Sequence, residues 1–232
     1  MFMPVTHEAA SPAPNQSDEP AGGLRERKKR IMRQQLSDTA TRLFIERGFD
    51  AVRVADVAEA CGVSEATVFN YFQTKEALVL DRLETTMASL PAGLASPGLA
   101  PIEAALRMLA QELMHLTDML EARDDPRRAV EEVLRFGDLI RATPSLRAYQ
   151  SDMMDQCVAV VAGILATRGG LGPDDPEPQI AARAILGLWH IQAQSLRKHL
   201  AVTPPERIHD EVTADVRRAA HVIGGGLYSL AI

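Results

Sequence analysis

Apolar residues recur along this chain at intervals of three and four, and Pro and Gly cut the pattern into segments. Leu36, Ala40, Leu43 and Phe44 share one face, which predicts a first helix from about Arg25 to Arg47. Gly48 then sits where a left-handed residue ends a helix, with Phe49 placed to fold back on the last turn. Two very short helices follow within VADVAEACGVSEATVFNYF, Val54 to Phe72. A fourth begins near Thr74, carries Leu78, Val79, Leu83 and Met87, and is expected to break at PAGLASPGLAP. Beyond it Ile102, Leu106, Leu109, Leu113, Leu116 and Leu120 mark an amphipathic helix. Asp124-Asp125-Pro126 starts the next as N-cap and first-turn proline, ending near Thr143, and Thr143-Pro144 repeats the device for a long helix ending at Arg168-Gly169-Gly170. The last two helices are expected from Pro178 to Leu200 and from Pro204-Pro205 to about Gly224. Nowhere do Val, Ile and Thr alternate between hairpin turns. The chain reads as all-α: a three-helix head, a connecting helix and a bundle of about five helices.

Pro91 to Pro101 is the expected domain boundary. The organisation is then a tail over 1–23, a head over 24–74, a connecting helix and linker over 75–100, and a bundle over 101–232. The tail is rich in Pro, Ser, Gly and acids, which fits a disordered segment and lacks the basic and apolar regions of a signal peptide. No apolar run approaches a membrane span, so a cytoplasmic protein with no membrane partner is expected. Cys61 and Cys157 match no metal or redox spacing and read as reduced thiols.

The net charge of −6 argues against a nucleic-acid partner until its distribution is considered. Residues 24–90 hold eleven bases against ten acids, and LRERKKRIMR, Leu24 to Arg33, holds six bases and one acid. Alone, such a run is usually a solvated face. It stands close to a helix-turn-helix pattern. Gly62 supplies the turn's positive φ, Val63 points inward and Ser64 caps the second short helix. Val68 and Phe72, four apart, share the inner face, with Phe69 at the border. Glu65, Ala66, Thr67, Asn70 and Tyr71 are left pointing outward or sideways. Thr67 and Asn70 suit base edges or phosphate oxygens, Ala66 a thymine methyl, and Tyr71 a phosphate. Lys75 adds a charge at the start of the next helix.

Residues 25–84 resemble the DNA-binding domain of the tetracycline-repressor (TetR) family of bacterial regulators. The matching residues are LF…ERGFDAV…VADVAEACGVSEATVFNYFQTKEALVL. The resemblance implies that Thr67, Phe69, Asn70 and Tyr71 form the recognition surface, with Ser64 and Lys75 gripping the DNA backbone. Arg53 departs from the family's usual Thr or Ser cap and is placed to contact phosphate instead. The stretch TPSLRA…GPDDPEPQIAARAILG is also similar to actinobacterial members, some associated with fatty or acyl-type effectors.

The resemblance further implies a small-molecule effector in the bundle and a homodimer through the last two helices, acting on a double-stranded operator. Ala181, Ala184, Ile185, Leu188 and Ala193, with Ile208, Val212, Val216, Ala219 and Ile223, would allow close helix crossing between two chains. Met108, Met119, Phe136, Tyr149, Met153, Cys157 and Trp189, with His115, His190 and Gln192 nearby, suit a lipophilic ligand, and all but His190 are the candidates for it. The alternatives are an activator of the same family, or a di-metal carboxylate bundle enzyme using Glu112-x-x-His115 and Glu206-x-x-His209. No nucleophile–base arrangement, phosphate loop or Cys/His cluster appears, so no catalytic residue, metal or cofactor is expected.

Overall fold

The computed structural model describes residues 21–96 and 98–226. The expected tail over 1–23 therefore lies almost wholly outside the described residues. Among those described there are nine helices and no strand: α1 (Ala21–Arg47), α2 (Val54–Ala60), α3 (Glu65–Tyr71), α4 (Lys75–Leu94), α5 (Pro101–Glu121), α6 (Pro126–Ala142), α7 (Pro144–Gly169), α8 (Pro176–Leu200) and α9 (Pro205–Gly225). Their order matches the head, connector and five-helix bundle read from the periodicity.

Helix ends follow local chemistry. Gly48 and Gly170 close α1 and α7 with φ of 87° and 67°, a region in which a Cβ would be strained. The Asp125 carboxylate accepts from the Arg128 N–H at 3.1 Å, and Thr74 Oγ1 accepts from the Ala77 N–H at 3.1 Å. Two boundaries differ from expectation. Helix α4 does not break at Pro91 but runs through it, because Leu90 and Leu94 are both fully buried and hold the next turn in place. Arg168 then donates to the carbonyl of Leu94 at 2.9 Å, an acceptor that the end of α4 leaves open, and to that of Leu99 in the linker at 2.6 Å. Helix α8 starts at Pro176 rather than Pro178, since both prolines occupy its first turn, where no intrahelical N–H bond is lost.

Two apolar cores result. In the head, Leu36, Ala40, Leu43 and Phe44 of α1 meet Val57 and Ala58 of α2, Val68 and Phe72, and Leu78 of α4. The bundle core joins Leu90 and Leu94 of α4 to Leu109, Leu113, Val161, Leu186 and Val212. Ile185, Leu188, Ile208, Val212 and Val216, read from the sequence as facing a second chain, are buried within this one where α8 packs on α9. Half of the apolar face read from the periodicity thus meets the neighbouring helix of the same chain, while Ala181, Ala184, Ala193, Ala219 and Ile223 keep some exposure.

The two cores come together along α4, where Leu83 packs against both, and at the start of α7. Leu146, in the first turn of α7, is fully buried in the head's cluster, and Phe136, Leu139, Ile140 and Tyr149 pack around it. Leu146→Ala removes this plug, and urea unfolding is expected to show a loss of roughly 2–5 kcal/mol. A loss under about 1 kcal/mol contradicts its role as a core residue.

Candidate nucleic-acid interface

The turn between α2 and α3 forms as the residue types require. Gly62 has φ 68°, and the N–H groups of Gly62 and Val63 reach back to Glu59 O and Ala58 O, both at 3.0 Å. Ser64 Oγ accepts from the Thr67 N–H at 3.1 Å and shares a 2.8 Å hydrogen bond with the Thr67 hydroxyl. The two hydroxyls thus fix the start of α3 together. Val68 and Phe72 are buried, which turns Glu65, Ala66, Phe69 and Asn70 outward as exposed residues and leaves Thr67 and Tyr71 half-buried at the edges. Phe69 is 46% exposed, a high value for an aromatic ring on a helix that uses its other face for the core.

The flanking residues divide. Arg53 does not cap α2 through its side chain. Its backbone N–H instead donates to Asp56 Oδ2 at 2.7 Å, and this bond holds the Asp56 carboxyl below its ordinary range. The Arg53 guanidinium lies 3.2 Å from Asp56 and is 80% exposed, so it remains available to an outside anion. Lys75 is different. Its ammonium donates to the Phe49 carbonyl, 4.3 Å from the Phe49 ring centroid and 5.4 Å from that of Phe44. The expected backbone-gripping lysine is turned inward, where it ties α4 to the end of α1.

A residue that the sequence hid in the basic run organises the joint beneath this surface. Arg33 donates through Nε to Asp81 Oδ1 at 2.6 Å, through Nη1 to the Tyr71 carbonyl at 2.7 Å and through Nη2 to Glu84 Oε2 at 3.2 Å. Its guanidinium lies 4.4 Å from the Phe72 ring centroid. Glu84 in turn accepts from the Tyr149 hydroxyl at 2.5 Å. One planar cation therefore joins the last turn of α3 to α4, and one carboxylate joins α4 to α7. Burial, followed by the adjoining Glu84, pushes Tyr149 up to about 12, so it stays a donor across the biological pH range.

Residues 36–81 match the family model for bacterial regulatory proteins of the tetR family, and residues 115–218 match that for the MftR C-terminal domain. The chain belongs to the TetR family. Among curated relatives, the protein named as a mycofactocin biosynthesis transcriptional regulator, MftR of Mycobacterium tuberculosis, is 28% identical over 215 residues, covering 87% of this chain and 93% of its own. The HTH-type transcriptional regulator TcmR of Streptomyces glaucescens is 28% identical over 231 residues, covering 90% and 97%. The solved structure of the fatty acid degradation regulator FadR from Bacillus halodurans is 15% identical with a TM-score of 0.50, over 84% of this chain and 96% of that one, and shares the fold. The protein is a DNA-binding transcriptional regulator of helix-turn-helix type, and its relatives are regulators rather than enzymes.

Within this TetR-family bundle the nine candidate ligand residues do not form one site. Phe136 and Tyr149 belong to the head–bundle joint. His115 is exposed, while Gln192 and Met119 are half-buried. Met108, Met153, Cys157 and Trp189 do pack on the bundle core. Met108 rests on the backbone of α4 at Gly93, where a Cβ would lie 2.3 Å from the thioether sulfur. The Trp189 indole N–H points at the Glu112 carboxylate, at 3.2 and 3.3 Å from its two oxygens. Burial raises the Glu112 carboxyl and the Cys157 thiol above their ordinary values. Neither of two hollows in the bundle is lined by any of the nine: one of about 370 Å³ lies between α8 and α9, and one of about 10 Å³ lies near Thr117 and Ile208. The di-metal alternative also lacks its geometry, since Glu112 is committed to Trp189 and no three acidic, His or Cys side chains converge among the described residues.

Replacing Lys75 with Met keeps the aliphatic stem and removes the ammonium. Thermal or urea unfolding is expected to show a loss of about 1–2 kcal/mol, with the salt dependence of DNA binding unchanged. A flatter salt dependence at unchanged stability would restore the phosphate contact read from the sequence.

Proposed function

We propose that the protein is a homodimeric repressor whose two α3 helices occupy successive major grooves of a palindromic operator, about 34–36 Å apart. Residues 24–74 act as the reading head, 75–100 as the link and 101–232 as the effector and dimerisation bundle. The observation that carries this reading is the outer face of α3. Thr67, Phe69, Asn70 and Tyr71 are presented by a helix whose opposite face is locked by Val68 and Phe72. Asn70 has the donor and acceptor pair that matches adenine, Ala66 suits a thymine methyl, and Ser64, Glu65 and Arg53 border the face. A chain that works on chromosomal DNA in this way works in the cytoplasm.

Dimerisation through α8 and α9 is supported by their outer groove, where Ile191, Ala219 and Val222 line a strip that this chain does not cover. Asp215 braces the two helices beneath that strip. It accepts from the Ser195 hydroxyl at 2.7 Å, lies 3.1 Å from His199 Nε2, and also meets Lys198 and Arg218. These donors, Ser195 foremost, hold its carboxyl well below the usual range.

The effector is a small lipophilic molecule entering among Met108, Met153, Cys157 and Trp189. The thioethers there can rearrange at small cost. Met108 touches α4 at Gly93, so opening this region displaces the helix that carries the head. The effector acts only through its different affinity for the two positions of α4.

Asn70→Ala is expected to relax base preference at one operator position by about 1–3 kcal/mol, measured by competition gel shifts with single-base operator variants. Full discrimination by Asn70→Ala removes α3 from the reading role.

A further inference from the structure

The first two turns of α1 are unlike the rest of the helix. Residues 25–30 are all exposed, and the first residue to pack on the head is Met32, followed by the fully buried Leu36 and Ala40. At 100° per residue Arg25, Lys28 and Lys29 fall on the same side of the helix as Met32 and Leu36. The stripe that seals the head further along is thus replaced, one and two turns earlier, by three cations with no part of the head beneath them. Arg27 and Arg30 occupy the other side.

Two further observations indicate what lies against this stripe. Several basic residues on exposed helix faces elsewhere are matched by acids a turn away, as in Arg42–Glu46 at 3.7 Å, Arg128–Glu132 at 3.4 Å and Arg135–Glu131 at 3.5 Å, while single ones such as Arg127 and Arg217 are not matched among the described residues. Among the described residues, none of Arg25, Arg27, Lys28, Lys29 and Arg30 has an ion pair. The position is also fixed, because Arg33 is bonded to the carbonyl of Tyr71, the last residue of the recognition helix. From Arg33, Lys29 lies about 6 Å and Arg25 about 12 Å further along the α1 axis. Neighbouring phosphates on one DNA strand are spaced on this scale.

We propose that the first two turns of α1 are a rigid phosphate clamp that grips the DNA backbone outside each half-site, with Arg25, Lys28 and Lys29 as its contacting residues. The clamp rests on the operator-binding reading of α3 and extends the footprint beyond the base pairs that α3 reads. It carries no sequence information of its own, because a cation paired with a phosphate does not distinguish bases. It also keeps an otherwise acidic protein attached to DNA while the head searches.

The test is a triple variant, Arg25→Gln, Lys28→Gln and Lys29→Gln, which preserves helix propensity and is checked by its thermal melt. Fluorescence anisotropy is measured over a salt series on three duplexes: the preferred site with about ten flanking base pairs on each side, the same site trimmed of its flanks, and a scrambled sequence. Each phosphate contact contributes roughly 0.9 to the slope of log affinity against log salt, so the slope on the flanked site is expected to fall by about 2–3 per head. Affinities for preferred and scrambled duplexes should fall by the same factor. Trimming the flanks should weaken the wild type and leave the variant unaffected. An unchanged slope on both flanked and scrambled duplexes overturns the clamp. A wild type that prefers no site instead overturns the operator reading of α3, while its slope on scrambled DNA still decides the clamp.

Discussion

The structure depends on how α4 is held between two cores that would otherwise be separate. Arg33 uses three donors of its planar fork on Asp81, Glu84 and the Tyr71 carbonyl, with the guanidinium near the Phe72 ring. A lysine there could not fill that pattern, having one compact ammonium rather than a flat fork. Glu84 passes the connection to Tyr149, and Leu146 beside it plugs the head's own core. The recognition helix is therefore oriented by the bundle as well as by α1 and α2.

This arrangement explains how a seven-residue helix presents a stable reading face. An isolated helix of that length does not persist in water. Helix α3 survives because Ser64 caps its start, Val68 and Phe72 are buried, and Arg33 takes up the carbonyl at its last residue. The opposite end of α4 is held by Met108 at Gly93 and by Arg168 at Leu94 and Leu99. One continuous helix joins these contacts to the head, which is a physical basis for the coupling proposed between the two sites.

Much of this was legible in the residues, and the exceptions share a cause. Gly62, Ser64, Val68 and Phe72 could be placed because turn, cap and inner face are determined within a few positions of one another. Pro91 was misread as a breaker because its helix is held by burial of Leu90 and Leu94 against segments far away in sequence. Lys75 has the position of a phosphate contact, but the Phe49 carbonyl, 26 positions earlier, holds its ammonium. Tyr149 and Phe136 have the composition of a ligand pocket, but their neighbours belong to the head. Periodicity shows that a face is apolar and cannot say which partner it meets. Arg33 is the sharpest case, since nothing in LRERKKRIMR separates it from the five cations that remain in solvent.

Through Arg33 and Glu84 the recognition helix and the start of α7 form one mechanical unit. Hydrogen exchange measured by mass spectrometry on Glu84→Gln against the wild type tests it most directly. Amides in 65–72 and in 144–150 are expected to lose protection together, with α8 and α9 unaffected. Faster exchange at the start of α7 with α3 unchanged would show that the head is positioned without the bundle, and would contradict the account.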